Sequence, residues 1–487
     1  MQTLFWHDYE TTGADPRRDR PVQFAGLRTN LDLQPVGEPV MFYGRLASDI
    51  LPQPDACLIT GISPQHAARE GVAEAEFAAR VHEQLAASGT CAVGYNSLRF
   101  DDEFTRHMLY RNFHDPYARE WEHGNSRWDL IDLARMCHAL RPQGIAWPQR
   151  EDGTPSFRLE HLAQANHLDQ EHAHDALSDV HALLGLARLI RQHQPRLWDW
   201  YYALRRKQKV YDLLDLVRQT PLVHVSSRYP ASRGCLSVIA PLARHPARPG
   251  EIIVYDLGTD PREWLELDAE AIADRVFTSR ADLPEGVSRI PLRTVRANRA
   301  PALAPLSALQ GVDTARLQLD LPACLRHAEL LRAASGVVDT VCRVFAQAAT
   351  PLQADDPELD LYGGFLADRD RALLATVRAT PPEQLRGLTT AFHDPRCATL
   401  LLRYRARNWP ETLDADEQAE WQAFRQARLT RHTALTNLTL QDYFGRIREL
   451  RGEPSAQDKL PLLDQLEAWG EQVMADLGDD VRLGDEA

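Results

Sequence analysis

Phe5-Trp6-His7-Asp8-Tyr9-Glu10-Thr11-Thr12-Gly13 sets an acid on alternate positions of an aromatic, strand-forming run. Side chains two apart on a strand leave by the same face, so Asp8 and Glu10 share one side of a sheet. Two carboxylates there repel each other unless a cation sits between them. Asp-x-Glu is also a common tripeptide, and alone it reads better as a strand end with solvated acids.

The surrounding sequence places this strand in a mixed sheet. Thr3–Tyr9, Val22–Thr29 and Pro39–Arg45 are rich in aromatic and β-branched residues and separated by polar turns, which predicts three strands. Glu74–Ala87 has helical periodicity and stops at Gly89. Cys91–Tyr95 is a short apolar strand, and a helix is predicted to open near Asp101. Ser156 is expected to cap a helix carrying Leu159, Leu162 and Ala163. Ala176–Arg191 repeats Val180, Leu183, Leu184, Ala187 and Ile190 at helical spacing. Strands first, then alternating helix and strand, predict an α/β domain with helices over a mixed sheet.

Two further motifs supply acids in order along this domain. Asn96-Ser97-Leu98-Arg99-Phe100-Asp101 ends on a carboxylate where strand gives way to helix, a position that a simple helix cap also favours. His174-Asp175-Ala176-Leu177-Ser178-Asp179 places a histidine five residues before an acid. Within one helix the two would point about 140° apart. The useful arrangement has His174 in the loop before the helix and Asp179 on its first turns. The competing reading is a surface histidine beside a helix-capping Asp175. Taken together, four acids and one histidine suit metal-assisted phosphodiester hydrolysis, which needs carboxylates to hold divalent cations and a base for water.

Beyond residue 194 the pattern changes twice. Pro195 is expected to mark a boundary, followed by the basic run Arg205-Arg206-Lys207-Gln208-Lys209. Leu222–Val225, Leu236–Ile239, Glu251–Tyr255 and Ile290–Val295 then predict a small all-β unit, with helix returning at Ala323–Ala349. A second break falls at Thr350-Pro351, after which Leu400–Tyr404, Trp421–Leu429 and Leu460–Met474 are helical. The expected domains are 1–194, 195–349 and 350–487.

Composition narrows the class. The chain of 487 residues is 44% hydrophobic and 25% charged, which describes a globular protein of several domains. No apolar run reaches the roughly 20 residues that cross a bilayer, and no secretory leader precedes Leu4-Phe5-Trp6, so a cytoplasmic location and no membrane partner are expected. Seven scattered cysteines with no Cys-x-x-Cys pair argue against a disulfide framework or a zinc ribbon. A net charge of −14 does not exclude nucleic acid, because binding depends on local phosphate contacts.

The segments Phe5–Thr11, Leu58-Ile59-Thr60-Gly61-Ile62, Tyr110-Arg111-Asn112-Phe113, Asn125-Ser126-Arg127-Trp128-Asp129-Leu130, Pro155–Leu162 and Tyr404-Arg405-Ala406-Arg407-Asn408 closely resemble the bacterial exonuclease I family. That family lies in the DEDD superfamily of 3′–5′ exonucleases, in the variant ending His-x4-Asp. The resemblance spans essentially the whole chain. It implies a ribonuclease H-like domain with a five-stranded mixed sheet, an SH3-like barrel with flanking helices and a C-terminal all-helical domain. It also implies processive 3′ to 5′ degradation of single-stranded DNA to nucleoside 5′-monophosphates, in DNA repair and recombination.

By the family pattern two Mg²⁺ ions, for which Mn²⁺ is the substitute, are held by Asp8, Glu10, Asp101 and Asp179. His174 takes the proton of the attacking water. Glu10, Thr11, Arg106, Tyr117, Trp121, Arg135 and Arg158 are the expected substrate contacts, because a single strand needs charge for its phosphates and flat surfaces for its bases. For Tyr117 and Trp121 ordinary packing is nearly as good a reading. The resemblance further suggests a monomer that docks the acidic C-terminal tail of single-stranded DNA-binding protein, with Arg141 an exposed candidate receiver. Two rivals remain at this point: an RNA-trimming or proofreading exonuclease with the same acids, and a non-catalytic DNA-binding protein on the same fold.

Overall fold

Phe5, His7 and Tyr9 lie on one face of the first strand, and Trp6, Asp8 and Glu10 on the other. The computed structural model describes residues 2–168, 175–347 and 354–478. In it, β1 (Thr3–Thr11) pairs antiparallel with β2 (Pro21–Thr29) and parallel with β5 (Thr90–Gly94). Phe5 and Tyr9 pack with Phe24 against Phe77, Val81 and Leu85 of the helix Glu74–Ala86, an i, i+4, i+8 stripe. This apolar layer fixes which way the acids of β1 face.

With β3 (Val40–Gly44), β4 (Gly71–Val72) and β6 (Ser126–Asp129), the sheet order is β4-β3-β2-β1-β5-β6. The resemblance implied five strands and the periodic runs four; the sheet has six, the short β4 and β6 lying outside the predicted runs. β2–β3 is antiparallel and β3–β4 parallel, so the sheet is mixed as predicted.

A second sheet, all antiparallel, has the order β10-β9-β8-β7-β11. Its strands are β7 (Leu222–Val225), β8 (Leu236–Arg244), β9 (Glu251–Asp256), β10 (Leu292–Arg296) and β11 (Ala302–Pro305). Four follow the predicted runs. β11 escaped prediction because it is four residues long and ends on proline. From Pro357 onward the described chain is helical, including Pro395–Asn408, Ala415–Thr430, Leu440–Gly452 and Leu460–Leu477.

One local expectation fails for an identifiable reason. The helix Leu159–Ala165 begins with Arg158 at its cap position and no side-chain cap bond, while the buried Ser156 hydroxyl lies 2.8 Å from Nδ1 of His161. Pro195 separates two helices: one ends at His193, and Pro195 opens the next, Pro195–Ala203, where its missing N–H costs nothing.

The described residues form two compact units, one of 2–126, 175–181 and 354–478, the other of 127–168 and 182–347. The second unit ends and the first resumes beside the division expected at 350, while 127–168 groups with 182–347. Within the first unit, charge buried between segments far apart in the chain holds the C-terminal helices. Glu358, fully buried, takes Arg407 at 2.7 Å, Arg403 at 3.1 Å and Arg20 at 3.2 Å. Asp49 takes Arg407 at 2.7 Å and Arg428 at 2.9 Å.

Burial alone would raise both acids, yet the surrounding guanidinium groups hold Glu358 and Asp49 well below the usual carboxylate range. Both therefore add stability in full above their ordinary values of 4.5 and 3.8, and that stability is lost as pH falls below those values. Glu358→Gln is expected to cost about 3–5 kcal/mol in denaturant unfolding, because it strands buried arginines, and to flatten the acid limb of the stability curve. An unchanged midpoint and acid limb would refute this.

Candidate active site

The first unit brings the acids of three separate segments together. Oxygens of Asp8, Glu10 and Asp179 all lie within 4.8 Å of one another. Glu10 is buried, and Asp8 and Asp179 are half-buried. Asp101 stands outside that trio yet acts on it: burial first, then the charges of Asp101, Glu10 and Asp179, raise the Asp8 carboxyl well above its ordinary value. Burial, then Asp179, Asp101 and Asp175, push Glu10 up to about 9. Such mutual repulsion is relieved when a divalent cation with oxygen preference enters, so these residues fit the metals that the sequence implies.

Local contacts explain the convergence. Asp101 is the first residue of the helix Asp101–Arg111, whose cap residue is Phe100. Its backbone carbonyl accepts from the Thr105 hydroxyl at 2.8 Å, and that hydroxyl meets Tyr9 of β1 at 2.9 Å. Asp102 is bound to Arg119 at 2.6 Å.

Gln23, opposite Glu10 in the β1–β2 register, donates to Asp175 at 3.0 Å and accepts from the Ala176 amide at 3.2 Å. Asp175 also accepts from the Ser178 amide at 3.3 Å, so this acid does cap the helix that carries Asp179. Gln23 thus ties the start of that helix to the strand beside Glu10, a role its sequence position did not disclose. His174 lies outside the described residues.

Beside the acids opens a cavity of about 930 Å³, lined among others by Glu10, Thr11, Ile59, Phe100, His107 and Tyr362. Thr11 is buried, its hydroxyl donating to the Gly13 carbonyl at 2.7 Å. Ile59 and Tyr362 are large exposed apolar surfaces here, 57% and 55% accessible. Neither was singled out from sequence. The available signal was Leu361-Tyr362-Gly363-Gly364-Phe365, two aromatics around a glycine pair.

The expected substrate contacts meet different fates. Trp121 is 63% exposed. Tyr117 is half-buried between Phe365, 5.5 Å away, and the Arg106 guanidinium at 5.4 Å. Arg106 itself is buried, gripping Glu120 at 2.7 and 2.9 Å and bonding Glu103 and Tyr362 at 3.1 Å, so a phosphate there would compete with two carboxylates.

Arg135 and Arg158 belong to the second unit. Arg135 is buried against Asp132 at 2.6 Å, whereas the Arg158 side chain is 68% exposed with Glu160 at 3.3 Å. Arg141, also of that unit, is half-buried rather than exposed, because its guanidinium donates to the Leu140 and Gln310 carbonyls.

Models of known families match the chain in three stretches: "Exonuclease" over 5–187, "Exonuclease I SH3-like domain" over 205–347 and "Exonuclease I C-terminal domain" over 355–473. Exodeoxyribonuclease I of Escherichia coli K12 is 43% identical over 475 residues, 97% of this chain and 98% of the relative. The chain belongs to the exonuclease I family.

The exonuclease I fold follows: a ribonuclease H-like mixed-sheet domain, an SH3-like domain and a helical C-terminal region. Among solved structures, a moderately thermophilic exonuclease I from Methylocaldum szegediense superposes with a TM-score of 0.93 at 48% identity, covering 97% of this chain and 100% of its own. Escherichia coli exonuclease I in complex with a dA16 oligonucleotide gives 0.92 at 43% identity with the same coverage. The Escherichia coli enzyme has also been solved in a zinc-bound complex with single-stranded DNA, and a structure of SSB/exonuclease I with an inhibitor is likewise similar to this chain. Membership of the exonuclease I family makes the chain a divalent-metal-dependent nuclease. No helix among the described residues is long and apolar enough to cross a membrane.

Proposed function

We propose that this chain, a metal-dependent exodeoxyribonuclease acting 3′ to 5′ on single-stranded DNA, uses two Mg²⁺ ions held by Asp8, Glu10, Asp101 and Asp179, with His174 as the base. The observation that carries the reading is the convergence of three carboxylates within 4.8 Å beside a cavity of about 930 Å³. Bound divalent ions supply an acidified water and neutralise charge on the leaving oxygen. The protein's own groups do the rest. Asp8 and Glu10 hold their place on the rigid central strand, and their elevated proton affinity falls once positive charge is present.

His174 accepts the proton of the attacking water, an imidazole being near the right pKa at neutral pH. Thr11 offers its backbone N–H to the terminal nucleotide. Phe100, Ile59 and Tyr362 offer surfaces against which the terminal base stacks, with Trp121 and Phe365 extending the platform. Arg158, on the second unit, offers an exposed guanidinium of the kind that takes a phosphate. Products leave as nucleoside 5′-monophosphates.

Digestion is processive, and the chain acts as a monomer in the cytoplasm, in repair and recombination. Its second partner is the acidic C-terminal tail of single-stranded DNA-binding protein, as the solved complex of a relative with SSB supports. Deleting the C-terminal region is a poor test of processivity, since it would strip Glu358 from Arg20 and Arg428 from Asp49 within one folded unit.

The direct test uses single-stranded DNA labelled at one end. A 3′-terminal label is expected as mononucleotide at the earliest times, a 5′ label only after the strand has been consumed, and neither after EDTA. Early release of the 5′ label, or turnover in EDTA, would overturn the proposal. Faster digestion of RNA of the same sequence would instead favour the RNA-trimming rival.

A further inference from the structure

The loop between β1 and β2 walls the cavity with Gly13, Ala14, Asp15, Pro16 and Arg17, and it is held chiefly from the segment joining the helices Ala415–Thr430 and Leu440–Gly452. Its anchor is Asp19, 2% exposed, whose carboxylate accepts the Asp15 amide at 2.9 Å and lies 3.4 Å from the Thr12 hydroxyl. Asn437 closes the arrangement, its side-chain amide reaching both Asp19 oxygens at 3.0 and 2.9 Å. Asn437 lines the same cavity.

Two more bonds come from the same stretch of chain. Arg18 Nε donates to the Ala434 carbonyl at 2.8 Å, and Arg428 donates to the Arg18 carbonyl at 3.1 Å. The fit is tight, since a Cβ on Gly13 would stand 2.5 Å from Asp19 Oδ2. A buried carboxylate chelated by an amide from the far end of the chain costs desolvation that an unconstrained loop would avoid. Its effect is to fix the wall next to Glu10 and Thr11.

We infer that Asn437 and Asp19 are positioning residues for the terminal nucleotide, so that the C-terminal helices help to build the substrate pocket. The inference rests on the proposed reading of that cavity. The bracing acts on binding of the strand's end and leaves the four carboxylates untouched.

The test uses full-length protein in EDTA and oligonucleotides carrying 2-aminopurine at the 3′ terminus or at the 5′ terminus, followed by fluorescence titration. Wild type should bind with a large change at the 3′ probe. Asn437→Ala should weaken that binding about tenfold, the factor for one net hydrogen bond. Asn437→Asp, setting two carboxylates face to face, should weaken it further.

The exchanged pair Asp19→Asn with Asn437→Asp restores an amide–carboxylate contact and should return affinity to near wild type. Arg451→Ala, which removes surface pairs to Asp464 and Glu467 elsewhere in these helices, controls for general loosening and should bind normally. Wild-type affinity in Asn437→Asp, failure of the exchanged pair to recover, or equal weakening in Arg451→Ala would overturn the inference. A wild-type protein that does not distinguish the two probes would sink the cavity assignment itself, a separable result.

Discussion

Asp8→Asn is expected to lower turnover of single-stranded DNA by on the order of 10³-fold or more, the rate equivalent of losing several kcal/mol of metal-borne charge stabilisation. The same substitution should make the metal-free protein more heat-resistant. Asp8 sits in a half-buried cluster where burial and the charges of Asp101, Glu10 and Asp179 all disfavour its ionised form. An amide of the same shape removes one member of that repulsion at little cost in packing. The ion that offsets the repulsion in the native protein then binds more weakly, so the rise in melting temperature on adding Mn²⁺ should shrink or vanish.

The two readouts move in opposite directions, which ordinary unfolding of a damaged variant does not produce. Turnover near the native rate, or a full Mn²⁺-dependent rise in melting temperature, would remove Asp8 from the site. Loss of turnover with lowered metal-free stability would mean that Asp8 holds the fold rather than the ion.

What could be read from the sequence follows the range of the interactions concerned. The face shared by Asp8 and Glu10 was legible because strand alternation is a local property, and the packing of Phe5 and Tyr9 on Phe24 bears it out. The start of the helix at Asp101 was legible for the same reason. Charge buried between distant segments was not. Arginine read alone suggests a solvated or phosphate-facing group, and nothing near Arg106 in the sequence says that Glu120 and Tyr362 occupy it. Arg407 and Asp49 lie 358 residues apart, and Asn437 and Asp19 lie 418 apart. Gln23 is intermediate: its strand was predicted, but its grip on Asp175 depends on where a helix 152 residues later begins. Tyr362 was missed because an aromatic in a helical region reads first as core, whereas here more than half of its surface is open.

His174→Ala tests the part of the mechanism that rests on sequence pattern, and its expected signature differs from that of a lost metal ligand. Removing a general base costs typically 10²–10⁴-fold in rate. Asp8, Glu10, Asp101 and Asp179 remain, so the Mn²⁺-induced rise in melting temperature and the affinity for a single strand should stay close to wild type. The pH–rate profile carries the decisive information. With a histidine base the wild-type single-turnover rate should climb through the ordinary imidazole range, about 6.5, because only the neutral ring accepts a proton. In His174→Ala that limb should disappear, and added imidazole should restore part of the rate in its unprotonated form. A variant that keeps both the rate and the limb would transfer the base role elsewhere. A variant that loses the Mn²⁺ response as well would make the histidine a determinant of ion binding.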